Sequence, residues 1–327
     1  MTDLTTSYMG LSLKNPIIVG SSDLTRSEDR IRECRDQGAG AVVLKSIFEE
    51  QFLIEAGNED SLAGAYPEAV DYLRSGGLME YAPADMARLI ENVKKDVDIP
   101  IIASINCQTP RLWPRFAKQV EDAGADAIEL NIYDLVIHPE VSSSEIEDKH
   151  VNILKAVKES VGLPVSVKLS AEFTSLPHIA KRLAEAGAEG LVLFNWFLEP
   201  DIDVNTRKTR NLKGKANFNH SLKWVALLSG RVECDIAASG GIDGWSGIVK
   251  QLLAGSTAVQ ICSLLLKGGL KVIPGLLEGL AAWMKENKMN SLDDFRGDLS
   301  FKKQELSFRT MGEAEAYFRS QYLKAYS

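Results

Sequence analysis

Six polar residues sit where apolar runs end: Ser21 after NPIIVG, Lys45 in VVLKS, Asn106 after IIASI, Asn131 in IELNI, Lys168 in VSVKLS and Asn195 in LVLFN. A polar group at the end of a buried strand costs free energy unless something pairs with it, and a lysine is the most expensive to desolvate. For either lysine alone, a structural salt bridge explains the placement as well as a ligand does. Two lysines and two asparagines at equivalent positions favour a bound ligand. Further along, ASGGI at 238–242 and QICSL at 260–264 bring Ser239, Gly240, Gly241, Cys262 and Ser263 to the ends of two more runs. Paired glycines let backbone N–H groups approach a phosphate closely, although a tight turn is the plain alternative.

A repeated unit positions these residues. A helical stretch ends in Gly, and a short β-rich run follows: DQGAGAVVLKS at 36–46, EDAGADAIELNI at 121–132, EAGAEGLVLFN at 185–195 and LAGSTAVQICS at 253–263. The Gly supplies the left-handed residue that stops a helix, and a run apolar on both faces suits a parallel strand covered by helices. With NPIIVGS at 15–21, IPIIASI at 99–105, LPVSVKLS at 163–170 and CDIAASGG at 234–241, the count reaches eight. Eight β/α units in series predict an α/β TIM barrel, (β/α)8, as one domain over residues 1–327. The open doubly wound sheet is the alternative, but GSSDLTRSE is a poor phosphate loop after a first strand. Long connections at about 47–83, 133–144 and 196–233 all fall on the C-terminal rim, where barrels build their sites. The pair Gly76-Gly77 in the first of them reads as a lid hinge or a tight turn.

Composition removes several function classes. The formal net charge of −8 repels a polyanion, so nucleic acid is not an expected partner. No run approaches the roughly 20 apolar residues of a membrane span, and the start lacks a signal-peptide pattern, so a soluble cytoplasmic protein is expected. Cys34, Cys107, Cys234 and Cys262 are dispersed, which predicts neither a disulfide framework nor a metal site. The positive run NTRKTRNLKGK at 205–215 attracts an anionic small molecule to the rim or is merely a solvated loop.

In order and spacing, NPIIVGSS, VVLKS, IELNI, VSVKLS, LFN, ASGGI, QICS and the late SLDDFRG resemble the class 1 dihydroorotate dehydrogenases over roughly residues 7–300. The resemblance implies a flavin mononucleotide (FMN) barrel that passes a hydride between a small CH–CH substrate and flavin N5, in pyrimidine biosynthesis. It implies Gly20 and Ser21 beside the flavin ring, Lys45 and Ser46 touching it from the second strand, and Asn131 and Asn195 contacting flavin or substrate. It places Lys168 near the N1 and C2 carbonyl edge, and assigns the phosphate to Ser239, Gly240, Gly241, Cys262 and Ser263. A cation beside N1 also follows from chemistry, because it stabilises the negative charge of a reduced flavin. Homodimers are common among such proteins.

The substrate half departs from the family. Where its members carry Asn-Leu-Ser-Cys-Pro-Asn, this chain reads Asn131-Ile132-Tyr133-Asp134-Leu135-Val136, so the cysteine base is replaced. Asp134 aligns with it and, with Lys45 and Asn131, is the catalytic expectation, though an ordinary Asp of pKa about 3.9 needs desolvation to act as base. Cys107, His138 and Tyr133 are weaker candidates. Three other functions stay open: reduction of a pyrimidine or enone with electrons from a partner, a flavin-binding sensor or scaffold without catalysis, and a Schiff-base aldolase using Lys168 or Lys45.

Overall fold

The computed structural model describes residues 2–49, 83–107, 109–134, 136–195, 199–212, 217–303 and 311–325. The repeat behaves as its chemistry requires: Gly38, Gly124, Gly187 and Gly255 have φ of 92°, 93°, 98° and 109°, stopping four helices just before four strands. The strands are β1 (Ile17–Val19), β2 (Ala41–Val43), β3 (Ile101–Asn106), β4 (Ala127–Asn131), β5 (Val165–Leu169), β6 (Gly190–Leu193), β7 (Asp235–Ser239) and β8 (Ala258–Ile261). Each pairs in parallel with its neighbour in sequence, and β8 pairs with β1, so the sheet closes into an eight-stranded barrel. The helices α1 (Glu28–Asp36), α2 (Pro83–Val93), α3 (Leu112–Asp122), α4 (Ser143–Ser160), α5 (Leu176–Glu185), α6 (Phe218–Leu228), α7 (Trp245–Ala254) and α8 (Ile273–Glu286) surround it. This is the TIM barrel expected from the eight repeats.

Two cores hold it. The larger lies between strands and helices; Trp113 and Phe116 of α3 are essentially fully buried there. The smaller fills the barrel interior: Ile18, Ala41, Val43, Ile102, Ala127, Val192, Ala237 and Ala258 pack over Tyr8, Met9 and Leu13. These last three belong to an N-terminal hairpin, Thr6–Tyr8 with Leu11–Leu13, that closes the floor. Met9 N donates to Asp235 Oδ2 at 2.7 Å, tying the hairpin to the start of β7.

Side chains alternate along a strand, so two positions beyond an inner residue is again an inner position. From Ala127 the next are Glu129 and Asn131, from Ala258 Gln260, from Ala237 Ser239, from Val43 Lys45 and from Ile102 Ser104 and Asn106. Lys168 pairs in register with Asn131 on one side and inner Val192 on the other. The interior thus changes from apolar at the floor to polar at the C-terminal rim.

Of the three rim connections, residues 50–82 of the first, with Gly76-Gly77, lie outside the described residues. The second leads into α4 through a capping box in which Ser142 and Glu145 satisfy each other's backbone N–H. The third contains a hairpin, Glu199–Asp203 with Lys208–Leu212, and α6. The described part of the basic run, residues 205–212, falls on the turn and second strand of that hairpin. The tail packs along the barrel: Phe295 is fully buried, edge-on to Trp283 at 5.0 Å, and Phe301 N donates to Ala226 O at 3.0 Å. No helix among the described residues is long and apolar enough to cross a membrane.

Candidate functional site

Lys168 reaches into the barrel from β5 with its side chain 11% exposed. Its Nζ lies 3.5 Å from Gln260 Oε1, a long hydrogen bond, and 3.6 Å from Glu129 Oε1. An ammonium carries three donors, so a nearly buried one held by two long contacts below has capacity left for an acceptor above. Glu129 is fully buried, and its Oε2 accepts from Gln260 Nε2 at 2.5 Å. Among the described residues, Glu129 Oε1 has no hydrogen-bond partner.

Around this centre, the expected residues meet in pairs. Asn195 Nδ2 donates to Asn131 Oδ1, linking the ends of β4 and β6 across β5. Ser46 N donates to Ser21 Oγ at 3.0 Å, and the Ser46 hydroxyl shares a 2.7 Å hydrogen bond with Ser104 Oγ, so three strand ends are joined. Lys45 pairs with Asp23 beyond β1. Gly20 is buried, and a Cβ there would meet Ile261 O at 3.6 Å, an ordinary contact. The neighbouring protein atoms therefore do not require glycine at this position.

After β7, Gly240 and Gly241 have φ of 97° and 72°, both in the left-handed region that glycine adopts without strain. Cys262 and Ser263 follow β8, and the Cys262 thiol contacts Ser21 O at 3.9 Å. Burial pushes that thiol up, away from the thiolate form, which suits a packing role. Taken together, the donor set fits FMN: a cation with spare capacity, amide and hydroxyl groups, an uncrowded glycine for the ring and a glycine turn for the phosphate.

Asp134 follows β4, three residues after Asn131, and its side chain turns toward α4. Its Oδ1 pairs with Lys149 of α4, and its Oδ2 is buried 3.9 Å from His150 Nδ1, with no hydrogen bond among the described residues. His150 Nδ1 is 2.9 Å from Ile146 O; because a carbonyl only accepts, Nδ1 carries the proton. Burial lowers the His150 pKa, and the Ile146 carbonyl and Asp134 oppose that. Asp134, His150, Ser170, Glu172 and Phe173 line a cavity of about 310 Å³ between the loops after β4 and β5.

The other candidates are dispersed. Cys107 is buried directly after β3, His138 is exposed on the β4 loop, and Tyr133 is half-buried, its phenol raised by burial and then by Glu172. Glu129, Gln260 and Ser104 were not among the expected site residues. Reading AIELN and AVQIC with a period of two exposes the first two, because both occupy positions where an inner side chain should be apolar.

The profile of the dihydroorotate dehydrogenase family matches residues 3–284. A dihydroorotate dehydrogenase B (NAD(+)) catalytic subunit from Pyrococcus abyssi is 28% identical over 303 residues, covering 90% of this chain and 98% of that protein. The one from Methanocella arvoryzae is 30% identical over 275 residues, 80% of this chain and 86% of that protein. The one from Thermoplasma acidophilum is 27% identical over 312 residues, 91% and 99% of the two chains.

Proposed function

Because this chain belongs to the dihydroorotate dehydrogenase family, whose members are oxidoreductases acting on CH–CH bonds, we propose that it is an FMN enzyme oxidising dihydroorotate or an analogue with the same CH–CH unit. The observation that carries the reading is Lys168: a nearly buried ammonium with spare donor capacity inside the barrel, in register with Asn131, whose side chain is bonded to Asn195.

FMN, when bound, supplies the hydride acceptor at N5. Lys168 holds positive charge at the N1 and C2 edge, where negative charge accumulates on reduction. Gly20 and Ser21 admit the ring, Lys45 and Ser46 hold its other side, and Ser239, Gly240, Gly241, Cys262 and Ser263 take the phosphate. Asn131 and Asn195 fix the substrate against the ring, so the reacting carbon is presented in one orientation. Asp134, which stands at the position of the family's cysteine base, takes the proton from the neighbouring carbon.

The relatives' names give no support to a sensor or scaffold, and both candidate Schiff-base lysines are engaged in ion pairs. Anaerobic mixing of the FMN-loaded protein with dihydroorotate tests the reading. Bleaching of the visible flavin band that is lost in Asp134→Ala supports it; a flavin that stays oxidised excludes dihydroorotate.

A further inference from the structure

Beneath the flavin-facing layer lies a buried charge that the proposed reaction does not use. Glu129 is fully buried inside the barrel, and among the described residues its ion pair is with Lys168. Gln260 holds both partners: its Nε2 donates to Glu129 Oε2 at 2.5 Å and its Oε1 accepts from Lys168 Nζ at 3.5 Å. Three strands, β4, β5 and β8, thus contribute one side chain each to a single network. Below it, burial and next the charge of Glu129 hold the Tyr8 phenol well above its ordinary range.

A buried ion pair is a poor stabiliser, since a well-packed apolar pair of the same volume serves as well or better. The placement therefore calls for another explanation. Lys168 lies between a carboxylate below and the proposed flavin edge above. Its 3.6 Å approach to Glu129 is longer than a charge-assisted hydrogen bond, so the ammonium is neutralised in part and not sequestered.

We propose that Glu129 and Gln260 are positioning residues that set how strongly Lys168 favours reduced over oxidised flavin. Glu129 supplies the counter-charge that limits the cation's pull on the reduced ring, and Gln260 fixes the spacing. Removing the carboxylate leaves Lys168 at full strength and raises the flavin reduction potential; adding a second carboxylate lowers it. The inference rests on the FMN reading above.

The test is the midpoint potential of FMN bound to Glu129→Gln, measured by dye equilibration, beside the FMN stoichiometry and affinity of both proteins. The expected result is one FMN per chain in each and a potential raised by ~30 mV or more, a tenfold or larger change in the affinity ratio of reduced to oxidised flavin. Stoichiometric FMN with an unchanged potential overturns the inference and leaves the FMN reading intact. Failure of the unaltered protein to bind FMN overturns both. Should Glu129→Gln not fold, Gln260→Glu provides the opposite probe: a lowered potential supports the inference, and an unchanged one overturns it.

Discussion

Asn195 donates a hydrogen bond from Nδ2 to Oδ1 of Asn131, so the ends of β4 and β6 are joined over the tip of β5. The pair is half-buried at the open end of the barrel, where neither amide is needed to fill a core. Asn195→Ala removes one hydrogen bond, worth about 1 kcal/mol, and should shift the melting temperature little. Its effect belongs on binding: FMN or substrate affinity should fall about tenfold, by FMN fluorescence titration and steady-state KM. A large melting shift with unchanged binding would assign the pair to folding.

Lys168→Met leaves Glu129 buried without its counter-ion. Breaking such a pair by removing one partner destabilises by about 3–5 kcal/mol, whereas replacing both is far milder. Chemical denaturation without FMN should therefore rank Lys168→Met below the Glu129→Gln/Lys168→Met double variant. The reverse ranking would mean that Glu129 and Lys168 are not energetically coupled.

Asp134 and Lys149 form a largely buried ion pair, their side chains 12% and 31% exposed, so Asp134→Asn should cost about 1–3 kcal/mol of stability. As the proposed base it should cost about 100-fold or more in flavin reduction rate while substrate still binds. Equal rates in stopped flow would remove Asp134 from the chemistry and direct attention to His150 on the same cavity.

His150 gives the protein a pH dependence with a defined sign. Burial holds its folded pKa below the unfolded value of about 6.5, so the unfolded chain takes up more protons as pH falls through that value. The stability contribution is complete above about pH 6.5 and is lost on acidification toward the folded pKa. His220 is shifted the same way by burial. Calorimetry should show a melting temperature that falls from about pH 7 to about 5, with a shallower slope in His150→Gln. A slope unchanged by that substitution would contradict the assignment.

At Gly40 the prediction concerns the barrel itself. A Cβ there would lie 2.2 Å from Asn15 O, in a stretch where Gly40 N also donates to Ile17 O at 2.8 Å. Neither backbone can yield without disturbing β1 and β2. Gly40→Ala should destabilise by about 3 kcal/mol or more, within the range of severe overpacking, and a melting temperature equal to that of the unaltered chain would contradict the packing described.

The barrel was legible because its signal repeats. Gly38, Gly124, Gly187 and Gly255 announce the helix ends, and the apolar runs after them can only be strands buried on both faces. Lys45, Asn131, Lys168 and Asn195 stood out for a related reason, each being polar at the end of such a run. The layer below did not. Glu129 and Gln260 lie one step inside the strands, and an apolar run with a single polar residue gives no indication of which strand across the barrel will satisfy it. The pairing of Glu129 with Gln260 spans 131 residues of sequence and exists only because the barrel closes. Asp134 was legible by position, but its ion pair with Lys149 depends on how α4 folds back over the β4 loop. The basic run at 205–215 read as a loop, and the described part of it falls on a hairpin, since Pro200–Ile202 and Thr209–Asn211 pair in register.

Equilibrium titration of the purified chain with FMN tests the central assignment most directly. Saturable binding of one FMN per chain is expected, weakened at least tenfold in Lys168→Met and in Gly240→Ala, whose left-handed φ an alanine adopts only at a cost of about 1–2 kcal/mol. Absence of saturable binding, or binding indifferent to both substitutions, would contradict a flavin site at this rim.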